Sequence, residues 1–327
     1  MELVLFDEDF AEIGIDYPVI DFETGDSSTR NNFEVSGDLH NAHGFSILGT
    51  EIGGIVEYEA DYNVNIQATR KGFSWRGLLS KWILDPPEGE DYKTVSGEAN
   101  AILRGILSGV LGGFFEVPKT DSGLTIDEYQ FKLYTTVLDG LMDMLEEYGY
   151  RLKIYTKKVS GAVKVYCEAV PATVQSGVYD SDVSTKMKFT YDRMGINHLI
   201  CMGSGELQNR MRLDLYINEQ GKVSEEQYYY GFEERQQYYD YGNAQSLKDL
   251  KSNGKKKLKE LASSKKLEVF SDGIQYEIGD ILKGKHKYTD KATGKVKTVK
   301  VEARINKKIY KISNDSISVE YGIKEVS

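Results

Sequence analysis

Cysteine, histidine and proline are all scarce in this chain of 327 residues, which has two, four and five of them respectively. Both cysteines, Cys167 and Cys201, lie in apolar, strand-like runs, so we predict two buried hydrophobic side chains. Two isolated cysteines make neither a disulfide framework nor a zinc site, and they suit synthesis in a reducing cytoplasm. The few prolines and the lack of a low-complexity linker favour domains that pack tightly together.

Long apolar runs are also missing. No stretch approaches the ~18 apolar residues that a membrane-spanning helix needs. The first apolar run, Leu3–Phe6, is short and is followed at once by Asp7, Glu8 and Asp9, which is the wrong charge for a secretory signal peptide. We therefore expect a chain that is made in soluble form and does not insert into a membrane.

The four histidines limit the metal sites and acid–base sites that the chain can form. His40 and His43 lie three apart in a loop near Asp38, but no matching His or Cys pair occurs elsewhere, so we predict no metal site. His198 lies in an apolar strand and is expected to be a satisfied core histidine. His286 lies in a lysine run and is expected to be solvated.

Motifs of nucleophilic catalysis are not found either. Gly203-Ser204-Gly205 invites comparison with a nucleophile elbow or a phosphate-binding loop, but strand-like sequence follows it instead of a helix. We expect its glycines to permit a bulge or a positive φ angle between strands. His198 and Cys201 lie three apart on one strand, so they point to opposite faces and form no dyad.

Acidic clusters are the remaining candidates for catalysis, because a glycosidase needs two carboxylates in a cleft. The obvious clusters are Glu88 with Glu90 and Asp91, and Glu233 with Glu234. We expect both to be solvated loops. The sequence therefore predicts no catalytic, cofactor-binding or metal-binding residues, no cofactor and no enzymatic activity.

The charge of the chain is unevenly distributed. A formal net charge of −10 disfavours general nucleic-acid binding. Over residues 246–311 the chain has 19 Lys and Arg against 8 Asp and Glu, a local excess of +11, which leaves −21 for the rest. Such a dipolar chain can pair head to tail with copies of itself or with partners of either sign, although a lysine-rich solvated surface explains the pattern equally well.

Strand-like segments separated by turns fill positions 1–73 and most of the chain after position 200, whereas helices enter between them. The predicted fold class is therefore α+β and β-rich, with two small β-barrel-like domains and helical α/β insertions. We place the boundaries at 1–73 for the N-terminal β-barrel-like domain, 74–200 for an α/β middle region and 201–327 for the second β-barrel-like domain.

Four segments have apolar stripes at helical spacing. Ser74 is expected to cap a short helix, and longer helices are expected from about residue 96, over about 131–148 and over about 246–264. The last of these is inserted in the second barrel-like domain, with leucines on one side and lysines on the other. Gly254 lies on its apolar side, where a backbone could approach closely, and it weakens the helix by ~1 kcal/mol relative to alanine.

The order of several short motifs resembles one protein family. These motifs are Glu2-Leu3-Val4-Leu5-Phe6-Asp7, Asn32-Phe33-Glu34-Val35, Gly72-Phe73-Ser74-Trp75-Arg76-Gly77-Leu78-Leu79, Met202-Gly203-Ser204-Gly205-Glu206 with Arg210 or Arg212 after it, and Tyr276-Glu277-Ile278-Gly279-Asp280-Ile281. In this order they are similar to the tail hub proteins of phages and prophages, of the XkdQ/YqbQ-like baseplate hub type. The resemblance spans nearly the whole chain.

The resemblance implies a structural role in virion assembly. Hubs of this type carry two small β-barrel-like units per chain, and three chains form a ring whose pseudo-six-fold face matches the hexameric tail tube. The other face holds the central spike or tip. The implied partners are therefore two further copies of the chain in a homotrimer, the tail tube, and spike, tip or other baseplate proteins. The implied location is the tail of a virion or phage-like particle, after synthesis in the cytoplasm of a bacterial host.

Two details fit this family less directly. The resemblance transfers no catalytic residue, and Gly279 and Asp280 are expected to shape a strand entry. The lysine-rich hairpin at 283–300 has no assigned role. A second hypothesis is a tail-associated protein that binds or cleaves cell-wall glycan, and its best support is the tyrosine cluster of Tyr228, Tyr229, Tyr230, Tyr238 and Tyr239.

Overall fold

The structure is a computed structural model. It describes the whole chain except residues 1, 29–30, 38, 61–67, 177–185, 193, 219–220, 245, 263, 273–275, 290–293, 295, 314–315 and 326–327, and it describes only the backbone of 175–176, 186–192, 264–272, 284–289, 297–301 and 325. The chain forms two compact units. The main unit comprises Met1–Met187 and Glu268–Ser327, and the smaller unit comprises Lys188–Leu267.

The elements follow in chain order. The N-terminal strands are β1 (Leu3–Phe6), β2 (Glu12–Asp16), β3 (Val19–Gly25), β4 (Asn32–Ser36), β5 (Gly44–Ser46), β6 (Gly53–Ala60) and β7 (Thr69–Ser74). The middle elements are α1 (Trp75–Leu79), β8 (Thr94–Glu98), α2 (Ala99–Leu107), β9 (Phe115–Glu116), β10 (Thr125–Gln130), α3 (Val137–Glu147), β11 (Tyr150–Val159), β12 (Ala162–Pro171) and β13 (Val174–Ser176).

The remaining elements divide between the two units. The strand β14 (Lys186–Asp192) spans the start of the smaller unit. The elements that follow it are β15 (His198–Met202), β16 (Arg212–Ile217), β17 (Val223–Ser224), β18 (Gln236–Asp240) and α4 (Leu247–Leu261). The C-terminal strands are β19 (Ser264–Asp272), β20 (Ile281–Thr289), β21 (Val296–Ser313) and β22 (Ser316–Glu325). This content confirms the prediction of an α+β, β-rich chain.

One large sheet of the main unit combines strands from both ends of the chain. Its order runs β19-β22-β21-β3-β4-β7-β6-β5-β1-β2, and β20 pairs with β21. The central junction is β3 with β21, which pair antiparallel from Ile20 opposite Ile312 to Gly25 opposite Lys307. In β3 and β4, buried and exposed residues alternate, so Ile20, Phe22 and Phe33 face the core.

The division of the chain differs from the predicted domains. The predicted boundary at 200/201 falls inside β15, and β20–β22 lie in one sheet with the N-terminal strands rather than in a unit with β15–β18. The sheets are open in the part of the chain that the structure describes. Alternation marks a strand as β but does not name its neighbour, so the pairing of β3 with β21, from opposite ends of the chain, could not be deduced from local pattern.

Three helices and a second sheet complete the core of the main unit. The long hairpin of β11 and β12 pairs antiparallel along its full length, and β9 adds parallel to β12. α2 and α3 pack on this hairpin and bury their predicted apolar stripes, including Leu103 and Leu141. Trp75 at the start of α1 is buried in the same core, where its ring lies 6.2 Å from that of Phe6.

Local capping explains where the helices begin. Ser74 caps α1 as predicted, because its Oγ accepts from the Gly77 N–H at 3.3 Å. The second helix starts at Ala99, later than predicted, since Thr94–Glu98 pairs with β10 as a strand and the Glu98 carboxylate then caps the helix. Thr136 and Ser246 cap α3 and α4 in the same way.

The smaller unit is a four-stranded sheet with one helix against it. The strand order is β17-β16-β15-β18, where β15 and β18 are parallel and the other pairs are antiparallel. Leu250 and Leu258 of α4 are fully buried against Leu199, Cys201 and Leu215 of the sheet. This core confirms the predicted leucine stripe at Leu250 and Leu258, whereas Leu247 at the start of the helix is 55% exposed.

Gly254 lets α4 approach the sheet closely, as its position on the apolar side predicts. A Cβ atom at this position would lie 2.6 Å from Cys201 Sγ and 2.8 Å from Leu215 Cδ1. Both distances are too short for real contacts, so either the helix or the two side chains would have to move. The glycine therefore lowers the intrinsic helix propensity of α4 but allows the helix to pack closely on the sheet.

We predict that Gly254→Ala destabilises the smaller unit by about 1–3 kcal/mol, because the overpacking cost exceeds the ~1 kcal/mol gained in helix propensity. Urea unfolding of the whole chain, followed by circular dichroism, measures the change. The control Ser252→Ala, on the exposed side of the same helix, is expected to be neutral or slightly stabilising. Adding Cys201→Ala to Gly254→Ala is expected to recover part of the loss, and no recovery would contradict the close-contact explanation.

Candidate functional site

A buried charge network is the most unusual feature of the main unit. Arg76, in α1, is 2% exposed, and its guanidinium donates to Glu51 Oε2 at 3.1 Å and to the Leu152 carbonyl at 2.9 Å. Glu51 is 7% exposed and lies in the turn between β5 and β6. Burial opposes ionisation of Glu51, but the charges of Arg76 and Lys308 outweigh that effect and lower the pKa of its carboxyl.

Lys308 extends this network to the C-terminal part of the chain. Its side chain is fully buried in β21, and its ammonium contacts the Glu277 carboxylate and lies 3.7 Å from Glu51 Oε1. A buried ammonium is costly unless carboxylates surround it. Glu51 therefore connects α1 and β21, which are far apart in the sequence.

Asp280 organises the segment that leads into β20. Its Oδ1 accepts from the Thr173 N–H at 3.0 Å and lies 3.0 Å from Arg151 Nε, while Oδ2 accepts from the Glu277 N–H at 3.1 Å. Gly279 has a positive φ of 96°, and a Cβ there would lie 2.5 Å from Arg151 Cβ. These contacts agree with the predicted role of Gly279 and Asp280 in shaping the entry of a strand.

A further group of ion pairs lies between α3 and the C-terminal strands. Lys324 Nζ contacts Asp26 Oδ2 at 2.7 Å and Glu146 Oε2 at 2.8 Å, and Arg304 Nε lies 3.3 Å from Glu146 Oε1. Burial raises the pKa of Asp26 despite the opposing charge of Lys324. Burial also disfavours the charge of Lys324, but Asp26 and Glu146 outweigh it and raise the pKa of the ammonium.

Sequence reasoning did not find these charged core residues, although one signal was available. Lys307 and Lys308 are consecutive in β21, and consecutive side chains of a strand point to opposite faces. One of the two lysines must therefore point to the inner face of any sheet that is covered on one side. The side chain of Lys308 is fully buried, while that of Lys307 is 29% exposed and pairs with Glu23.

His198 is buried in the smaller unit between two carboxylates. Its Nδ1 lies 2.6 Å from Glu234 Oε1, its Nε2 lies 2.9 Å from Asp214 Oδ1, and its ring stacks on Tyr216 at 4.2 Å. Each ring nitrogen therefore lies within hydrogen-bond distance of a carboxylate oxygen. The Arg212 guanidinium, together with His198, lowers the pKa of Asp214 against the effect of burial. His198 is thus a satisfied core histidine, as predicted.

The two cysteines are inert hydrophobic side chains, as predicted. Both are free and buried, and burial raises the pKa of the Cys167 thiol to about 12 and that of Cys201 to about 11. His198 contacts Glu234 and Asp214, whereas Cys201 lies under Gly254 of α4. The strand therefore presents the two residues to different surroundings, and the expected lack of a Cys–His dyad agrees with this geometry.

The other candidate site residues are dispersed. The His40 imidazole lies 3.7 Å from Asp16 Oδ2 on the surface, and the His43 ring packs edge-on against Phe10. Asp38 and the side chain of His286 lie outside the described residues. Glu88, Glu90 and Asp91 are exposed in a loop. Glu234 contacts His198, so the Glu233–Glu234 cluster is not simply a solvated loop as expected. Among the described residues, no three of His, Cys, Asp and Glu are placed to share a metal ion.

Gly205 has a positive φ of 112°, and a Cβ there would lie 2.6 Å from the Asn209 carbonyl oxygen. The turn after β15 therefore needs glycine for backbone reasons, which is the role predicted for Gly203-Ser204-Gly205. Arg210 follows this turn, and its guanidinium donates to the Gly203 carbonyl at 2.7 Å and pairs with Asp240.

A groove of about 520 Å³ lies on the outer face of the large sheet. Four carboxylates line it, from Asp21, Glu23, Glu34 and Glu57. Glu34 pairs with Lys71 at 2.8 Å and Glu23 with Lys307 at 3.4 Å. Asp21 and Glu57 are exposed and have no ion-pair partner among the described side chains.

The tyrosine-rich segment of the smaller unit is partly exposed. Tyr230 is 66% exposed and Tyr238 is 53% exposed, whereas Tyr239 packs against the core and stacks on Tyr241 at 6.0 Å. Tyr238 is also engaged, because its hydroxyl contacts Arg210 at 3.0 Å and Asp240 at 3.1 Å. The tyrosines of this segment are thus divided between the core, an ion-pair network and solvent.

No helix in the described part of the chain has both the length and the apolar character that crossing a membrane requires.

Comparison with known proteins identifies the fold. No protein-family profile matches the sequence, and no curated protein matches it. The fold is similar to that of the 43 kDa tail protein of prophage MuSo2 from Shewanella oneidensis, with a TM-score of 0.51 and 13% identity over 99% of this chain and 98% of that one.

Two other solved structures are less similar. A tail protein from Neisseria meningitidis MC58 has a TM-score of 0.48 at 12% identity, covering 99% of this chain and 96% of that chain. The prophage tail protein gp18 from Listeria monocytogenes EGD-e has a TM-score of 0.47 at 12% identity, covering 100% and 96%. The Shewanella comparison shows that this chain has the fold of that prophage tail protein over nearly its whole length. This finding confirms the predicted resemblance to the fold of phage and prophage tail proteins. The narrower XkdQ/YqbQ-like assignment stays a prediction.

We predict that Glu51→Gln destabilises the main unit by about 3–5 kcal/mol at neutral pH, because Arg76 loses its buried carboxylate. The lowered pKa of Glu51 also gives stability that is present above about pH 4.5 and is lost as the pH falls below it. Urea unfolding at neutral pH and at about pH 3.5 measures both effects, and the variant is expected to lose less stability than the wild type on acidification.

The matched control for this prediction is Glu34→Gln, which removes one charge from an exposed pair with Lys71. We expect it to cost less than ~1 kcal/mol. Equal losses for the two glutamines would contradict the account of the buried network.

We also predict that His198→Asn destabilises the smaller unit by about 1–3 kcal/mol, since Asp214 and Glu234 lose the donor that separates them. Thermal unfolding at neutral pH measures the loss. The same substitution at His40, which is exposed and has a left-handed φ of 51° that asparagine tolerates, is the control and is expected to stay within ~0.5 kcal/mol. If His198→Asn left the melting temperature unchanged, the imidazole would not be needed to stabilise the two carboxylates.

Proposed function

We propose that this protein is a structural hub subunit of a phage or phage-like tail, which forms a ring of three copies and joins the tail tube to the central spike or tip. The observation that carries the proposal is the tail-protein fold, which covers 99% of this chain and 98% of the Shewanella prophage protein. The likeness extends over nearly the full length of both chains, so the proposal rests on the whole described fold and not on a single domain of it.

The chemistry of the described side chains supports an assembly role rather than an enzymatic one. The buried ionisable groups Glu51, Lys308 and His198 are engaged in ion pairs or hydrogen bonds within the fold. A general acid or base must lie within hydrogen-bond reach of a substrate. Groups that are buried and engaged within the fold do not offer such a contact. The proposed partners are therefore proteins: two further copies of this chain, the tail tube, and the spike, tip or other baseplate proteins.

The uneven charge supports the same proposal. The chain carries a net +11 over residues 246–311 and −21 elsewhere, which provides two regions of opposite charge for contacts with its neighbours. In a head-to-tail ring each copy uses one of the two regions in each of its two contacts. Complementary charge therefore favours formation of the ring over random association.

We expect the purified chain to form a particle of three copies with a pseudo-six-fold outline. Light scattering coupled to size exclusion gives the mass, and negative-stain electron microscopy gives the outline. The measurement is made over a concentration series, because ring formation depends on protomer concentration.

A strict monomer that binds cell-wall glycan would contradict the hub proposal and favour the alternative of a glycan-binding tail protein. Cleavage of cell wall in a zymogram, lost on substitution of a single carboxylate, would favour a lytic protein instead.

A further inference from the structure

The outer side of α4 presents a lysine stripe to solvent. Lys248, Lys255 and Lys259 are exposed and lie within about 40° of one another around the helix axis, since they are spaced by seven and four positions. The stripe is about 16 Å long. It lies away from Leu250, Gly254 and Leu258, which face the sheet.

These lysines form no ion pair with the described part of the chain. Other lysines of α4 do: Lys251 pairs with Glu225 and Lys257 with Glu260. Among the described side chains, no carboxylate lies within ion-pair distance of Lys248, Lys255 or Lys259. The three ammonium groups of the stripe repel one another. A partner of negative charge would therefore stabilise this surface.

The chain itself carries a surface of matching sign. Over positions 1–60 the sequence has 14 Asp and Glu against one Arg and no Lys. The acidic outer groove of the large sheet is lined mainly by this segment, where Asp21 and Glu57 are exposed and have no ion-pair partner among the described side chains, and Tyr58 is 54% exposed. The groove therefore combines carboxylates that attract a basic surface with a partly exposed aromatic side chain of the kind enriched in protein–protein contacts.

We propose that the lysine stripe of α4 docks on the acidic outer groove of a second copy of this chain. The contact rests on the proposed ring, and it names the two surfaces that would join neighbouring copies. Because the two surfaces differ, the contact is heterologous: each copy contributes its stripe to one contact and its groove to another, and such contacts generate a ring when the rotation between copies closes. Charge complementarity selects a protein surface of this chain over nucleic acid, given the net charge of −10.

A charge-swap experiment tests this contact. Lys255→Glu with Lys259→Glu reverses the stripe, and Asp21→Lys with Glu57→Lys reverses the groove. We expect each pair of substitutions to raise the dissociation constant of the assembly by at least about tenfold, and the combination of all four to restore it. Sedimentation velocity over a concentration series measures the constants, at ~0.05 M and ~0.5 M salt, and the wild-type assembly is expected to weaken as salt rises.

The matched control is Lys119→Glu with Lys222→Glu, which changes the net charge equally at exposed lysines outside the stripe. We expect the control to leave the dissociation constant unchanged. Circular dichroism of every variant distinguishes a lost contact from a lost fold.

The outcomes separate this inference from the proposed function. A wild-type ring that tolerates the stripe and groove reversals overturns the docking contact and leaves the hub proposal standing. A wild type that stays monomeric at both salt concentrations overturns both. Stripe substitutions that abolish binding of a DNA duplex without changing the assembly would assign the stripe to nucleic acid, and would overturn the proposal of self-association.

Discussion

The pairing of Glu51 with Arg76 and Lys308 connects parts of the main unit that are far apart in the sequence. Arg76 belongs to α1, Lys308 to β21 and Glu51 to the turn before β6. Buried ion pairs add little net stability over apolar packing, but an incomplete one is costly. A one-residue shift of β21 against β3 would turn the Lys308 ammonium to the outer face and leave Glu51 with one partner fewer. The network therefore helps to fix the register in which the two ends of the chain meet.

That register determines which surfaces the main unit presents. With Lys308 inward, Ile309 and Lys307 line the outer face next to Glu23 and Gly25 of β3. The acidic groove is formed by β3, β4, β6 and β7, and Ile309 of β21 completes its lining. The strand pairing that buries Lys308 thus also places Ile309 beside the candidate assembly surface.

Local features of the fold could be predicted from the sequence, whereas distant pairings could not. The Ser74 cap, the leucine stripe of α4, the close approach at Gly254 and the buried cysteines depend on residues within a few positions or on side-chain type alone. The pairing of β3 with β21 could not be predicted in this way. Many strands of the chain alternate between apolar and polar residues, and this alternation does not show which of them pair. The same limit hid the partners of Arg76 and His198, because the charge pattern of one segment does not reveal the carboxylates that a distant segment supplies.

The central claim is that this chain acts as an assembly subunit of a tail. An electron cryo-microscopy reconstruction of the assembled protein, calculated without imposed symmetry, tests that claim most directly. The account predicts a closed ring of three copies in which α4 of each copy contacts the acidic groove of the next. Single separate copies at every concentration, or copies joined in open chains that never close, would contradict it.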